Sequence, residues 1–429
     1  MNRTTTSTSR RKNANKPAVD SSRKAEILET AAQLFSSSGL RTSVHEIADA
    51  CGILPGSLYH HFESKEDMFV DLVESYQGDL DRVAEKALLD HASDPRPPSD
   101  QIVALGLAIA ECAMRHRAAL LLTLYEPPAG ASRQLVRVVN RAPAAISDAM
   151  LAILRAASAD GHLRRELHLE LVADRICQSM LHQAIAADYQ TRWAERATLK
   201  CEMFLHGLAM RPPSDDRLDR SRARGVADDA IAVWDDHEGE PDDKGALIRS
   251  VARSEFARRG YELTTIRDIA AAAGVSTGAI YRMVETKDDL LASIMRSFVE
   301  RITLGWNRIM DAPSTSVEKL DALLWFNIHV IERFTEEHRI QSLAFQVLPP
   351  KSPARRWTLP AQLRRQLKVL VSEGRQAREL QIEGASLETG ARCVFALVWT
   401  PENIVEQVGV RGALDFERNL LVRGAAARG

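Results

Sequence analysis

Residues 43–72 read SVHEIADACGILPGSLYHHFESKEDMFVDL, and residues 265–294 read TIRDIAAAAGVSTGAIYRMVETKDDLLASI. The two stretches align without gaps at an offset of 222. Nine of thirty positions are identical: Ile47, Ala48, Ala50, Gly52, Gly56, Tyr59, Glu63, Lys65 and Asp67 in the first copy. Self-similarity of this kind means that one structural unit occurs twice. Ser43 with Glu46, and Thr265 with Asp268, stand at the spacing of a capping box, so a short helix starts at each. Gly52 and Gly274 end it, because a tight helix-helix turn needs a residue with φ > 0. A second short helix runs through Pro55 to His61, and through Thr277 to Met283. Ser64 to Asp67 and Thr286 to Asp289 then cap a long helix. Upstream, Ile27, Leu28, Ala31, Leu34 and Phe35 share one helical face, Ile248, Ala252 and Phe256 take matching places, and Gly39 and Gly260 end these helices. Three helices with a glycine turn between the second and third form a helix-turn-helix, whose third helix can enter the major groove of DNA.

These residues carry a resemblance. Ile47-Ala48, Gly52, Gly56 to Phe62 and Lys65-Glu66 resemble the amino-terminal signature of TetR-type repressors, and Ile269-Ala270, Gly274, Gly278 to Tyr281 and Lys287-Asp288 resemble it again. The resemblance spans roughly residues 22–80 and 243–300. It implies that Tyr59, His61 and Lys65, with Tyr281 and Lys287, contact phosphate oxygens. The helix N-termini at Ser43 and Thr265 can hold a phosphate by their free N–H groups and hydroxyls. Base reading would fall to Pro55, Gly56, Ser57 and His60 in the first copy, and to Ser276, Thr277, Gly278 and Arg282 in the second. Arg282 can take a guanine bidentately. The copies depart from the pattern in two places. Leu54-Pro55 stands where a Ser or Thr cap is usual, and Met283-Val284 replaces a His or Tyr followed by Phe, which makes DNA binding by the second copy the weaker expectation.

The rest reads as helix, so the expected fold is all-α: two tandem units, each a three-helix head followed by a helical bundle. The expected divisions are a basic disordered arm (1–21), a first head (22–80), a first bundle (81–210), an acidic linker (211–242), a second head (243–300) and a second bundle (301–429). Residues 1–24 hold seven Lys and Arg against Asp20 alone, while acidic residues crowd 228–243. The resemblance implies that each bundle binds a small inducer and forms a dimer interface. Trp306, Trp325, Phe326, His329, Phe345 and Trp399 are candidate lining for an apolar ligand of unknown identity, with ordinary core as the plainer reading. The long helices from Lys65 and Lys287 are natural levers, and relief of repression is the expected outcome.

Five cysteines, far apart and never in a C-x-x-C pair, signal neither disulfides nor zinc. His60 and His61 point to different sides of a helix, so no metal is expected, and no motif calls for a cofactor. The N-terminus lacks an apolar core of a targeting sequence, and no apolar run approaches the roughly eighteen residues of a membrane span, so a cytoplasmic chain without a membrane partner is expected. No phosphate loop, nucleophile elbow or paired-carboxylate motif speaks for an enzyme. The alternatives to a ligand-released repressor acting on a double-stranded operator are a helical ligand-binding protein or enzyme that has lost DNA binding, and an architectural DNA binder without a ligand. The heads differ at Leu54, Pro55 and His60 against Ser276, Thr277 and Arg282. One chain is therefore expected to fold as a pseudo-twofold dimer of its own halves, packing Leu171 to Leu208 against Leu387 to Leu421. A homodimer of whole chains is the competing reading.

Overall fold

The computed structural model describes residues 16–38, 40, 42–127, 130–185, 191–234, 244–347, 359 and 361–427. Among these residues every extended element is a helix. The first unit comprises α1 (Lys16–Ser38), α2 (Val44–Ala50), α3 (Pro55–Leu58), α4 (Lys65–His91), α5 (Pro98–Arg115), α6 (Arg117–Thr123), α7 (Arg133–Val139), α8 (Ala144–Ala159), α9 (Leu169–Leu181) and α10 (Trp193–His206). After α11 (Asp215–Asp219) and α12 (Arg222–Ala232), the second unit comprises α13 (Lys244–Arg259), α14 (Ile266–Ala272), α15 (Thr277–Tyr281), α16 (Lys287–Asp311), α17 (Ser316–Arg333), α18 (Thr335–Val347), α19 (Ala361–Gln376), α20 (Leu387–Leu397) and α21 (Glu402–Glu417), which runs into a π-helical turn, Arg418–Val422.

Local chemistry explains the head boundaries. Reciprocal capping boxes close at Ser43 with Glu46, Ser64 with Asp67, Thr265 with Asp268 and Thr286 with Asp289. Gly52 and Gly274 both take φ +64° at the turn. Ile27, Ala31 and Phe35 bury against Ile47, Leu58, Phe62 and Met68, and Ile248, Ala252 and Phe256 do the same with Ile269, Ile280 and Leu290. Gly39 lies outside the described residues.

Three boundaries differ from expectation. Helix α1 already begins at Lys16, so the arm expected over 1–21 is helical at its end, and residues 1–15 lie outside the described residues. Within the segment expected as a linker over 211–242, residues 215–219 and 222–232 form α11 and α12, which pack on α16 and α17 of the second unit. Ala223, Ala227 and Ala230 make a buried small-residue stripe, and Trp234 beyond it meets Phe326 and Phe334 edge-on at 5.2 and 5.1 Å. Arg224 pairs with Asp219 and Asp228 and lies 3.7 Å from the Trp325 ring, while the acidic residues from Asp235 to Asp243 lie outside the described residues. Finally, Arg133–Ala159 has the length and mean hydropathy of a membrane span, more than the sequence reading allowed. It is two helices broken between Asn140 and Pro143, and Ile146, Met150, Ile153 and Leu154 of α8 are buried.

The halves meet through α9 and α10 on one side and α20, α21 and the π turn on the other. Backbone bonds there come in mirrored pairs. Leu208 N–H donates to Leu421 C=O (2.8 Å) and Ala425 N–H to Phe204 C=O (2.8 Å). Arg164 N–H donates to Ala425 C=O (3.0 Å), and Gln381 N–H to Leu208 C=O (2.9 Å). Each bond maps onto its mirror by a shift of 217 positions, as from Leu208 to Ala425. Gly207 and Gly424, at φ +75° and +86°, lie back to back where the chains cross. A Cβ on Gly207 would fall 2.5 Å from the Arg423 carbonyl carbon, so only glycine permits this approach.

Buried charge also bridges the halves. Arg175 on α9 stands 2.9 Å from Glu417 of α21 and donates to Leu397 C=O (2.6 Å). Burial holds the Glu417 carboxyl above its ordinary range, opposed by Arg175. Next to it, Arg418 forms two 2.7 Å bonds to Asp321 of α17 and a 2.8 Å bond to Asp219 of α11, tying the inter-unit segment to the carboxyl-terminal turn.

Candidate DNA-binding face and sensor

On the first head, Ser43, Gly56, Tyr59 and His60 are exposed and Pro55, Ser57 and His61 half-buried. On the second, Thr265, Ser276, Gly278, Tyr281 and Arg282 are exposed and Thr277 half-buried. Tyr59 and Tyr281 are 53% and 55% exposed, large values for an aromatic ring that the core could have taken. The recognition helices α3 and α15 therefore offer side chains outward from one end of each unit. Leu54 at the N-cap of α3 makes no side-chain cap, and neither does Ser276 at α15 although its hydroxyl could. Phe62 is buried under Lys24 at 5.0 Å, whereas Val284 in its place is only half-buried, a smaller plug for the second head.

At two expected phosphate contacts the lysines are engaged within the head. Lys65 turns inward: its Nζ donates to Leu40 C=O at 2.6 Å and lies over the rings of Phe35 and Phe69. Burial draws its pKa below the usual lysine value. Lys287 repeats the arrangement, donating to Tyr261 C=O (2.7 Å) and Thr264 C=O (3.1 Å) over the Tyr261 ring. The carbonyls between the first two helices have no helical partner, and each lysine satisfies them. Lys65→Met should thus lower head stability by about 1 to 2 kcal/mol through the lost charged hydrogen bond. DNA binding should weaken without a change in its salt dependence, read by titration at several salt concentrations. A slope reduced by about one unit would return Lys65 to the phosphate backbone.

The helix N-termini at Ser43 and Thr265 are also less free than expected. The Ser43 N–H donates to the Glu46 carboxylate at 2.6 Å, and these bonds draw the Glu46 pKa down. At Thr265 both the N–H (2.7 Å) and the hydroxyl (2.6 Å) donate to Asp268. Each head's own acid occupies part of the place where a phosphate was expected.

The six candidate sensor residues do not line one pocket. Trp306 is wholly buried, donates from Nε1 to Asn327 (3.0 Å) and stacks on Trp399 at 6.3 Å. Trp399 stacks in turn on His338 at 5.2 Å, whose pKa burial pushes down to about 4. Phe326 points elsewhere, toward Gly305 and Trp234. Trp325 and His329, one turn apart, meet edge to face at 4.3 Å, and Trp325 donates to Asp228 of α12. The Phe345 side chain lies outside the described residues. Trp325 and Phe326 are adjacent on α17 and so face different sides, which separates the groups. His338, Asn327, Phe395 and Trp234 were missed; their spacing alone did not mark them.

Contacts that could carry a signal from bundle to head are specific. Arg117 at the start of α6 is buried, donating to Ser36 C=O in the first head (2.6 Å) and to Ala184 C=O beside α9 (2.9 Å). Arg253 of α13 pairs with Glu336 and Glu337 at the start of α18. The first bundle also touches the second head: the Tyr125 ring packs on Gly260, and Glu126 N–H donates to Arg258 C=O at 2.9 Å.

The sequence profile described as bacterial regulatory proteins, tetR family, matches residues 27–72 and 248–294. The chain is 33% identical over 152 residues to the HTH-type transcriptional repressor KstR2 of Mycobacterium tuberculosis (strain ATCC 25618 / H37Rv), covering 35% of this chain and 74% of that protein. The chain belongs to the TetR family. A KstR2 of Rhodococcus jostii (strain RHA1) is 52% identical over 69 residues, which is 15% of this chain and about a third (34%) of that relative's length. The solved structure of ketosteroid transcriptional regulator KstR2 of Mycobacterium tuberculosis aligns with 38% of this chain and 81% of its own, at 28% identity and a TM-score of 0.31. This TetR-family chain is a DNA-binding transcriptional regulator, carrying the family's head twice, and its named relatives are regulators rather than enzymes.

Proposed function

We propose that the chain acts as a one-chain repressor whose two unlike heads grip one asymmetric operator, and that a small apolar inducer bound in a bundle releases it. The observation that carries this reading is the junction, where mirrored backbone bonds and the facing pair Gly207 and Gly424 relate the halves as the subunits of a twofold dimer are related. Heads related in this way reach successive major grooves, about 34 to 36 Å apart. An inducer acts only by favouring one arrangement over the other, and the Arg117 and Arg253 contacts supply elements whose shift would tilt α1 and α13.

Light scattering of the free protein, with a footprint on an operator selected from genomic fragments, tests this assembly. A mass near one chain and two protected half-sites are expected. A mass near two chains with four half-sites overturns the single-chain reading. On the same operator, Arg282→Ala should cost about 1 to 3 kcal/mol at a single base pair and relax preference there. An unchanged profile in a sequence-selection assay would remove Arg282 from base reading.

A further inference from the structure

We propose that Leu54 reads the methyl group of a thymine in the half-site bound by the first head. This rests on the proposed DNA-binding role of that head and names the base chemistry it selects. Leu54 is 75% exposed, although it is a large aliphatic side chain two residues from the turn glycine Gly52. It occupies the N-cap of α3, with extended backbone (φ −72°, ψ 144°), and its side chain provides no hydrogen bond to the helix it begins. The fold therefore gains nothing from leucine here, and a Ser, Thr, Asp or Asn would cap the helix better. The side chain stands at the leading end of the recognition helix, on the same exposed rim as Gly56, Tyr59 and His60. Nothing fills the space within 4 Å of a Cβ placed at Gly56, so the rim is open to a ligand.

In the major groove the base edges present donors, acceptors and one apolar group, the C5 methyl of thymine. An isobutyl group that gives up water against a base edge finds its match there, and against a donor or acceptor it would strip water from a polar atom without replacing it. The equivalent position of the second head is Ser276, also exposed, whose hydroxyl makes no cap either. The same structural position is thus apolar in one head and polar in the other, which makes the two half-sites chemically distinct at that step.

The test uses the full chain and a selected operator in which each thymine of the first half-site is replaced in turn by deoxyuridine, removing only the methyl group. One such replacement should weaken binding of the native protein by about three- to tenfold, the scale expected when part of one aliphatic side chain loses its contact. Leu54→Ala should bind the native operator more weakly by a similar factor and be indifferent to the same replacement. Leu54→Ser matches the Ser276 that the second head already carries there and should leave heat stability close to native, so its loss of affinity cannot come from unfolding of the head. If every deoxyuridine effect is the same for the native protein and Leu54→Ala, the proposal is overturned while DNA binding by the head stands. If the first head protects no DNA in the footprint, both the proposal and the functional reading beneath it fall.

Discussion

Gly424→Ala should separate the two halves. At φ +86° an alanine costs about 1 to 2 kcal/mol from backbone strain alone. Its Cβ would press into the His206 carbonyl carbon and the Gly207 nitrogen, backbone atoms that cannot swing aside. Overpacking of this kind adds about 1 to 3 kcal/mol. A total near 3 kcal/mol or above is expected, and Gly207→Ala should match it, because the two glycines meet the same obstruction from opposite sides. Gly52→Ala is the control: its φ is +64°, yet nothing lies within 4 Å of the added Cβ, so it should show the strain alone. Calorimetry reads the difference. The two junction variants should unfold in two steps at lower temperature, and Gly52→Ala in a pattern close to the native one. Equal losses in all three would mean that the crossing backbones are not tightly docked.

Arg418→Met should cost about 3 to 5 kcal/mol, because it strands the wholly buried Asp321 without its bidentate partner. Even in the native protein burial holds the Asp321 carboxyl above its ordinary value, with Arg418 opposing the shift. Without the guanidinium the shift must grow. A carboxylate whose folded pKa exceeds its unfolded value of 3.8 is comfortable in the fold while protonated, and its cost develops as pH rises through the folded pKa. The loss in Arg418→Met should therefore be small near pH 4 and widen toward neutrality. Denaturant unfolding across that range checks the sign. Asp321→Leu combined with Arg418→Met should recover much of the loss, since an apolar pair of similar volume replaces a buried ion pair at little net cost. A pH-independent loss would locate the damage at Asp219 and Asp215 instead, the other partners of Arg418.

The heads were legible because their signals are local. A capping box, a turn glycine and an apolar face lie within a few residues of one another, and all of them recur 221 or 222 positions later. The inter-unit segment was misread because charge density was weighed above periodicity: Ala223, Ala227, Ala230 and Trp234 carry a helical stripe, and Asp228 is spent on Arg224 and Trp325. Lys65 and Lys287 match a phosphate-binding motif, but which carbonyls would need a donor is a property of the folded turn. At the junction, packing of Leu171 to Leu208 against Leu387 to Leu421 was expected, but the crossing of Gly207 and Gly424 was not. Its repeat runs at 217 rather than 222, since the bundles differ in loop length, so Gly207 and Gly424 never align in a search anchored on the heads. In the sensor, composition pointed to aromatics but could not tell which side of α17 each would face.

Joining the halves through α11 and α12 changes the concentration law of binding. Two separate subunits must first find each other, so occupancy of an operator rises with the square of their concentration once they are dilute enough to part. Two halves on one chain hold each other at an effective concentration set by geometry, on the order of millimolar for short connections. Occupancy then rises in simple proportion to the number of chains. A cell holding only a few copies would still present both heads together, and neither half could be exchanged for one from another regulator.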